Sequence, residues 1–398
     1  MSDQTDNPEL AAGSPVHERV CRAMLDLAAR HASRAIGNVE PDPMVGAVVA
    51  EAVAGGDVTT IGGWRVLGIG HHDRFGGLHA EPIALERAKA VKPDLRDAVL
   101  FVTLEPCGHT GKQPPCTRAA IDSGVRRVVI AQRDPNPIAR GGADVLLAAG
   151  VAVQWSDASR RAIEITAPWR SGLVTGRPWV IAKWAQTIDG RLATANGSSQ
   201  WVSGPQSRQR VHRLRGRCDA VITGIGTVLA DDPLLSVRDA IRRRTAPLRR
   251  VVLDRQLRVP TSCRLIETAG EWPLTIFTSV SGAAAQSAKV DALRNLRVEI
   301  IVAEDVSVAA AAAHCGTAHG ASTVLVEAGG RLLGDALRRG HVDECHVYTG
   351  PLVLAERGGQ SIGTDAPVAV MADAARWWMV DLRRQSDEVR AVYRRALV

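Results

Sequence analysis

Apolar and polar positions alternate along the first part of the chain in a way that predicts strands separated by helices. Residues 16–36 have apolar positions at helical spacing, and two short apolar runs at 45–50 and 64–70 are typical of paired strands. The alternation continues through a helix at 79–91, a strand at 98–104, a helix at 117–124 and a strand at 126–131. This order predicts a sheet covered by helices on both faces.

The pattern weakens after residue 157 and a second alternation starts at residue 178. Its apolar runs are 178–186, 219–224, 249–254, 274–278, 297–303 and 322–330. Since 398 residues is long for one domain, we predict two α/β domains, at 16–160 and 178–398, joined by a linker at 161–177. Residues 1–15 lack a basic start followed by an apolar run, so we interpret them as a flexible leader.

Composition narrows the class of protein. Hydrophobic residues make up 45% of the chain and charged residues 23%, as in globular proteins, and no apolar run is long enough to span a membrane. Seven cysteines without a disulfide pattern favour the reducing cytoplasm. A net charge of +7 favours phosphate-bearing partners, while the arginine-rich run at 238–250 is interpreted as a solvated surface rather than a nucleic-acid site.

Two cysteines, Cys107 and Cys116, stand on one glycine- and proline-rich loop, and His79 and Glu81 stand at a predicted helix start. An ordinary helix-terminal histidine and an inert thiol pair are the alternative. In zinc deaminases, however, a histidine and two cysteines hold the ion while a glutamate moves protons. The combination therefore predicts zinc bound by His79, Cys107 and Cys116, with Glu81 as the catalytic acid and base, although eight residues rather than two separate these cysteines.

The second half contains a candidate phosphate cradle. A strand runs into Gly329–Gly330 and then into a helix, so backbone N–H groups and the helix dipole face one point. A plain turn is the alternative, and no G-x-G-x-x-G sequence follows a strand.

Several motifs give a more specific indication. The sequences PDPMVGAVV (41–49), HAE (79–81), TLEPCGHTGKQPPC (103–116) and DPNP (134–137) resemble the deaminase half of the RibD family of bifunctional riboflavin-biosynthesis proteins, and residues 183–204, 224–238 and 326–344 are similar to its reductase half. The resemblance implies a cytidine-deaminase-like three-layer α/β/α domain followed by a dihydrofolate-reductase-like α/β domain that uses NADPH. It also implies a homo-oligomer.

The resemblance implies roles for individual residues. NADPH contacts would come from Ala185, Trp201, Thr227, Asp231, Gly329, Gly330, Arg331, Leu332, Leu333, Gly334 and Asp335. Ribose-phosphate contacts would come from Ser199, Arg215, Leu235, Arg238 and Glu327, and pyrimidine contacts from Asp42 and His72, for which a surface histidine is the alternative. Lys183, Asp189 and Asp231 are the polar candidates near the reacting carbon.

Three positions depart from the family pattern. Asp42 replaces the usual asparagine, and a carboxylate donates a hydrogen bond only when it is protonated. Pro82 replaces an aliphatic residue, and residues 351–355 lack a usual lysine.

The predicted function is deamination of 2,5-diamino-6-(5-phosphoribosylamino)pyrimidin-4(3H)-one followed by NADPH-dependent reduction, with small-molecule partners and neither nucleic acid nor membrane. Two alternatives are a nucleic-acid base deaminase with a C-terminal binding module and a regulator with one inactive half. An aromatic content of 4% provides few side chains on which unpaired bases could stack, which disfavours the nucleic-acid base deaminase. The regulator is an alternative because Asp42 replaces the usual asparagine of the family.

Overall fold

A computed structural model describes residues 15–53, 61, 63–111, 113–238, 240–365 and 368–395. The chain divides into two compact units between Val174 and Thr175. The predicted leader lies outside the described residues except for Pro15. The predicted linker is largely helical, because Arg160–Glu164 (α5) and Ala167–Thr175 (α6) occupy most of it.

The N-terminal unit follows the predicted alternation and adds two elements to it. Before α5 its elements are α1 (Glu18–Ala32), β1 (Gly46–Ala52), β2 (Trp64–His71), α2 (Ala80–Val91), β3 (Ala98–Val102), α3 (Cys116–Ser123), β4 (Arg127–Ile130), α4 (Gly142–Ala148) and β5 (Ala152–Trp155), with a 3-10 turn at Ser33–Ala35 after α1. The sequence pattern did not predict α4 or β5.

These strands form, among the described residues, a five-stranded sheet in the order β2-β1-β3-β4-β5. Strand β1 is antiparallel to β2 and β3, whereas β3, β4 and β5 are parallel. Helices α2, α3 and α4 contribute to the core on one face, and α1 and α5 to the core on the other. The predicted three-layer α/β/α architecture is confirmed.

Close packing of α2 on β2 fixes the position of the helix start. A Cβ atom at Gly70 of β2 would lie 2.1 Å from the carbonyl oxygen of Ala80, which is the first residue of α2. No side chain fits in that space, so the helix approaches the strand as closely as the two backbones allow. His79 and Glu81 are therefore held against the sheet by backbone packing.

The C-terminal unit is a second α/β structure. Its elements are β6 (Trp179–Gln186), α7 (Pro205–Gly216), β7 (Ala220–Gly224), α8 (Ile225–Asp231), β8 (Arg249–Leu253), α9 (Arg264–Glu267), β9 (Leu274–Thr278), α10 (Val280–Ala285), α11 (Ser287–Asn295), β10 (Val298–Val302), α12 (Val308–His319), β11 (Thr323–Val326), α13 (Gly330–Arg338), β12 (Glu344–Thr349), β13 (Trp377–Gln385) and β14 (Glu388–Arg395), with a 3-10 turn at Met371–Asp373.

Among the described residues these strands form a nine-stranded sheet in the order β10-β9-β8-β7-β11-β6-β12-β14-β13. The strands from β10 to β12 are parallel, and β14 and β13 complete the sheet in antiparallel pairing. Helices α12 and α13 cover one face, while α8, α9 and α11 cover the other. In such sheets, ligands bind at the carboxyl ends of the parallel strands.

The arginine-rich run at 238–250 is only in part the solvated surface that its composition predicted, since Arg238 and Arg243 are exposed but other arginines of the run are partly or fully buried. Arg250 is fully buried and donates to the carbonyl oxygens of Leu265, Thr268 and Trp272. Arg242 donates to the carbonyl of Ala246 within the run and to carbonyls at the C-terminal end of α7, and Arg244 donates to the carbonyl of Arg217 and to Ser322. Composition does not show these contacts, because a guanidinium carries five donors and can serve several backbone carbonyls at once.

Two further observations concern the chain as a whole. All seven cysteines are free thiols. In the part of the chain that the structure describes, no helix combines the length and the apolar character needed to cross a bilayer.

Candidate active sites

The residues predicted to bind zinc come together at one end of the N-terminal sheet. His79 is the N-cap residue of α2, Cys116 is the first residue of α3, and Cys107 lies on the loop that follows β3. Their ligand atoms all lie within 4.8 Å of one another. Helix starts and a strand end thus bring together three side chains that are far apart in the sequence.

The geometry of this cluster fits a tetrahedral zinc ion. Nδ1 of His79 is 3.1 Å from Sγ of Cys116 and 3.6 Å from Sγ of Cys107. Zinc–nitrogen and zinc–sulfur bonds of about 2.1 and 2.3 Å at a tetrahedral angle separate the two ligand atoms by about 3.6 Å. The three donors are one short of a closed structural site, which is typical of catalytic zinc.

The two thiols are electrostatically unequal. The hydrogen bond from Cys116, followed by that from His79, lowers the pKa of Cys107 to about 4 despite partial burial. The same Cys107–Cys116 bond, together with burial, raises the pKa of Cys116. The hydrogen bond to Cys107 raises the pKa of His79. A cation among these groups would favour the thiolate form of both cysteines and the neutral imidazole.

Glu81 lies in the first turn of α2 and is buried beside this cluster. Its Oε2 atom has no hydrogen-bond partner among the described residues, and burial raises the pKa of the carboxyl group. A buried carboxyl oxygen without a partner is costly unless a ligand or solvent molecule uses it. Glu81 is therefore available for proton transfer next to a candidate metal site.

Glu105 holds the loop that carries Cys107 in place, a role that the sequence did not indicate. Its carboxylate accepts hydrogen bonds from the backbone N–H groups of Asp134, Gly141 and Ala143 at 3.0, 3.2 and 3.0 Å. These bonds tie the segment that begins with the DPNP motif to the residue two before Cys107. Burial raises the pKa of Asp134, in that motif, to about 6.

The two predicted pyrimidine contacts are neighbours. Nε2 of His72 lies 3.3 Å from Oδ2 of Asp42, and Nδ1 of His72 lies 2.9 Å from the carbonyl oxygen of Leu78. The ring of His72 also makes an edge contact with the ring of His79, at 5.3 Å between centroids. His72 is buried, which does not fit a histidine on a surface loop. Asp42 and His72 thus border the candidate metal site.

In the C-terminal unit, three predicted substrate contacts form one half-buried polar cluster. Lys183 lies on β6, Glu327 follows the end of the adjacent strand β11, and Arg215 lies in the last turn of α7. The guanidinium of Arg215 pairs with both carboxylate oxygens of Glu327, with 2.9 Å between Nη2 and Oε2. The sheet register and the end of α7 produce a cluster that sequence spacing could not show.

The three charged side chains of this cluster differ in how far neighbouring charges offset their own. Burial lowers the pKa of Lys183, although the charge of Glu327 opposes the shift. Burial would raise the pKa of Glu327, but the charge and hydrogen bonds of Arg215 outweigh it and the pKa is lowered. Because Glu327 is already paired with Arg215, the ammonium group of Lys183 is the one whose charge is least compensated.

The Gly329–Gly330 turn carries the predicted phosphate cradle. Gly329 is the N-cap of α13, and the first backbone bond inside the helix runs from the N–H of Leu333 to the carbonyl of Gly329. The N–H groups of Gly330, Arg331 and Leu332 therefore point out of the helix end. This end lies beside the start of α8, since a Cβ atom at Gly224 would be 3.2 Å from Leu332. These N–H groups fit a dinucleotide phosphate.

The other predicted contacts are spread around the same strand ends. Ala185 lies on β6, Thr227 and Asp231 on α8, and Ser199 and Trp201 on an exposed loop where Arg208 stacks 4.3 Å above the indole. The N–H of Arg238 donates to Nδ1 of His212, a residue of α7 that the sequence analysis missed. Tyr348, 5.8 Å from Nζ of Lys183, was missed as well because nothing in its sequence context distinguishes it from a core residue.

At four positions that were predicted to contact the cofactor or the substrate, the residue packs or pairs with other residues of the protein. The side chains of Leu235 and Leu333 lie in the hydrophobic cores. Gly334 packs against the backbone of Gly363, and Asp335 pairs with Arg339 one turn along α13.

Asp189 also has internal partners. It accepts hydrogen bonds from the hydroxyl of Thr187 and from the N–H groups of Leu354 and Ala355, which lowers its pKa to about 2. It therefore anchors the 351–355 segment, the one that lacks the family lysine.

Comparisons with known proteins match both units. The model of the RibD C-terminal domain matches residues 178–387, and the model of the cytidine and deoxycytidylate deaminase zinc-binding region matches residues 19–132. Riboflavin biosynthesis protein RibD of Aquifex aeolicus is 34% identical over 343 residues, which are 85% of this chain and 88% of the relative. RibD of Corynebacterium ammoniagenes is 38% identical over 322 residues, 80% of this chain and 82% of the relative.

Solved structures agree with this result. A diaminohydroxyphosphoribosylaminopyrimidine deaminase/5-amino-6-(5-phosphoribosylamino)uracil reductase from Thermotoga maritima aligns with a TM-score of 0.73 at 29% identity, over 96% of this chain and all of the other. RibD of Acinetobacter baumannii aligns with a TM-score of 0.71 at 29% identity, with the same coverage.

Proposed function

Since this chain belongs to the RibD family of bifunctional riboflavin-biosynthesis proteins, we propose that its N-terminal unit deaminates 2,5-diamino-6-(5-phosphoribosylamino)pyrimidin-4(3H)-one and that its C-terminal unit reduces the deaminated product with NADPH. The observation that carries the proposal is the cluster of His79, Cys107 and Cys116 with the buried, unpartnered carboxyl oxygen of Glu81 beside it. The product of both steps is 5-amino-6-(5-phosphoribitylamino)uracil.

In the deaminase unit, His79, Cys107 and Cys116 would hold zinc, which supplies a hydroxide nucleophile near neutral pH when it is bound. Glu81 accepts a proton from the attacking water and delivers it to the ring nitrogen; it then moves a second proton, from the hydroxyl added to the ring carbon, to the leaving amine, which departs as ammonia. Asp42 and His72 hold the pyrimidine at the border of this site. Glu105 keeps the loop that carries Cys107 in place through its three backbone N–H partners.

In the reductase unit, the N–H groups at the start of α13 would bind the dinucleotide phosphate of NADPH, which supplies the hydride for C1′ of the opened ribosyl group. We assign the accompanying proton to Lys183. It is half-buried and desolvation lowers its pKa, whereas Asp189 already accepts three hydrogen bonds and Asp231 lies exposed at the end of α8. Arg215 and Glu327 hold the phosphorylated ribose next to it.

The positive charge of the run at 238–250 gives little support to the alternative function, a nucleic-acid base deaminase. Arg242, Arg244 and Arg250 donate to groups within the protein, so the run at 238–250 offers fewer free cations to a phosphate backbone than its composition indicates. We also propose the cytoplasm as the compartment, supported by seven free thiols, and a homo-oligomer, which light scattering of the purified protein would test.

Mass spectrometry of the pyrimidine substrate incubated with the full-length protein tests the proposal. Without NADPH we expect one amine to be replaced by oxygen, and with NADPH two further hydrogens. Glu81→Gln should abolish the first change while still reducing separately prepared deaminated substrate, and Lys183→Met should show the opposite pattern. Reduction without deamination in the wild type would show an inactive first half, and absence of both changes would refute the proposal.

A further inference from the structure

A second cluster of metal-ligating side chains lies on β10 and α12, two elements that carry no residue of the candidate active sites. Glu299 projects from β10, and His314 and His319 come from the C-terminal part of α12. Their ligand atoms lie within 4.8 Å of one another. We propose that Glu299, His314 and His319 form a second metal site, which binds one borderline divalent cation such as Ni²⁺ or Zn²⁺.

The distances fit such an ion. Nε2 of His314 lies 3.2 Å from Oε1 of Glu299, and Nε2 of His319 lies 3.2 Å from Oε2. Metal–nitrogen and metal–oxygen bonds of about 2.1 Å at a tetrahedral angle separate such atoms by about 3.4 Å. Two imidazoles and one carboxylate are a donor set for zinc, nickel or copper rather than for calcium or magnesium. The cation would thus enter between the imidazoles and the carboxylate with little movement.

The ligands are oriented by neighbours, as in established metal sites. The hydroxyl of Thr275 donates to Oε2 of Glu299 at 2.6 Å, and the ring of Phe277 packs edge-on against His314, at 5.5 Å between centroids. Outer contacts of this kind fix the direction of a carboxylate and an imidazole towards an ion. The rings of His314 and His319 also contact each other, at 5.2 Å. Both imidazoles therefore face the same carboxylate.

Charge and access set the affinity of this site. Nη1 of Arg249 lies 2.9 Å from Oε2 of Glu299, and its positive charge opposes a cation, while the C-terminal end of α12 favours one. The side chains of His314, His319 and Glu299 are 22, 25 and 33% exposed, so an ion reaches them from solvent and water can complete its coordination. We expect a moderate affinity, weaker than that of a site with two thiolates.

A metal ion bound by Glu299, His314 and His319 would affect the edge of the nine-stranded sheet. Strand β10 is the first strand of the order and pairs with β9 alone among the described strands. An ion held by Glu299 and the two histidines would link this edge strand to the end of α12. We therefore expect the metal to stabilise the C-terminal unit without entering either reaction.

Calorimetric titration of the zinc-loaded, full-length protein with Ni²⁺ tests the proposal. The wild type should bind one further ion, and its thermal unfolding midpoint should rise with Ni²⁺. The double variant His314→Asn/His319→Asn should lose at least about tenfold in affinity and the rise in midpoint. Glu299→Gln, which removes the charge but can still accept from Thr275, should bind more weakly. His31→Asn, in the N-terminal unit, is the matched control and should bind as the wild type does.

Two outcomes would overturn the proposal. One is the absence of any bound Ni²⁺ beyond the zinc that is retained, as measured by elemental analysis. The other is equal affinity in the wild type and the double variant. If the double variant does not fold, His319→Asn alone, at the more exposed end of α12, replaces it with the same expected loss of affinity. Deamination and reduction should be unchanged in every folded variant.

Discussion

His72 lies between two hydrogen-bond acceptors, Asp42 and the carbonyl oxygen of Leu78. A carbonyl only accepts, so Nδ1 of His72 carries a hydrogen. A neutral imidazole then presents a lone pair from Nε2 to Asp42, and one extra proton has to lie on the imidazole or on the carboxyl group for the two to bond. An asparagine would supply that hydrogen from its own amide. The Asp42–His72 pair thus needs one proton more than an Asn–His pair would.

Substitution of Asp42 tests this difference. We expect Asp42→Asn to retain deamination, and Asp42→Ala to lose about tenfold in kcat/KM, which corresponds to a hydrogen bond of roughly 1.4 kcal/mol. Steady-state kinetics of deamination by the wild type and both variants measures these effects. Full activity of Asp42→Ala would show that this side chain does not position the substrate.

The residues that carry the deaminase chemistry could be predicted individually, whereas those that support them could not. His79, Glu81, Cys107 and Cys116 have side chains whose chemistry and spacing are visible in the sequence. Glu105 has an equally visible side chain, but its partners are backbone N–H groups 29 to 38 residues away. Backbone donors have no sequence signature, so such a contact appears only in the folded chain.

At the level of elements, the start of α13 has one glycine with free space around it and one that is tightly packed. A Cβ atom at Gly330 would lie 2.0 Å from the carbonyl oxygen of Ser361, whereas one at Gly329 would meet nothing within 4 Å. The two adjacent glycines therefore serve different purposes. Gly330 allows the 361–363 segment to approach the helix, and Gly329 leaves free space above the exposed N–H groups.

These glycines offer a matched pair of substitutions. We expect Gly330→Ala to lower the free energy of unfolding by about 1–3 kcal/mol, as overpacking does, and to weaken NADPH binding because the helix start shifts. Gly329→Ala should leave stability unchanged. Thermal unfolding and fluorescence titration with NADPH measure the two properties separately. Equal stability of the two variants would contradict the close approach of Ser361.

Arg250 on β8 provides a second test at this scale. Burial lowers its pKa to about 10, so it remains charged at neutral pH while donating to four backbone carbonyls, those of Leu234, Leu265, Thr268 and Trp272. The Thr268 carbonyl also accepts from backbone N–H groups, but Arg250→Met would take the donor away from the carbonyls of Leu265 and Trp272, at a cost of about 1–3 kcal/mol for each. We expect a loss of at least about 2 kcal/mol in urea unfolding. Arg258→Met, at an exposed position after the same strand, should change stability by less than about 0.5 kcal/mol.

Strands with continuous apolar runs were predicted from the sequence, and strands with mixed patterns were not. Strands β1, β3, β7 and β11 are almost completely buried, and their hydrophobic runs are unambiguous. By contrast, β5 and β13 contain exposed residues on both sides, so neither period of alternation is visible. The arginine-rich run at 238–250 shows a related limit, since the sequence tells which side chains are charged but not which of them are buried.

On the scale of the whole molecule, each unit has its own sheet and its own hydrophobic cores. The predicted zinc ligands all lie in the first unit, and the residues assigned to NADPH and reduction all lie in the second. The two-domain prediction rested on a gap in the alternation of strands and helices. Such a gap indicates where a domain ends but not that the connecting residues are themselves helical, as α5 and α6 are.

Separate expression of the two units tests their independence. We expect residues 1–176 to deaminate the substrate and residues 177–398 to reduce the deaminated product, each at a rate close to that of the full chain. This cut keeps Arg177 with Asp343, to which it makes two hydrogen bonds of 2.7 Å. Assays of each fragment alone, with the full-length protein as control, measure the rates. An insoluble or inactive fragment would show that the unit depends on the rest of the chain.

The strand order also determines when each activity can arise during synthesis. The five strands of the first sheet are complete once residue 155 has left the ribosome, so the deaminase can fold while the remainder is being translated. The second sheet places β11, its sixth strand in sequence, between β7 and β6, its two earliest. Lys183 therefore has no Glu327 beside it until most of the chain exists. Every newly made molecule would pass through a stage in which it can deaminate but cannot yet reduce.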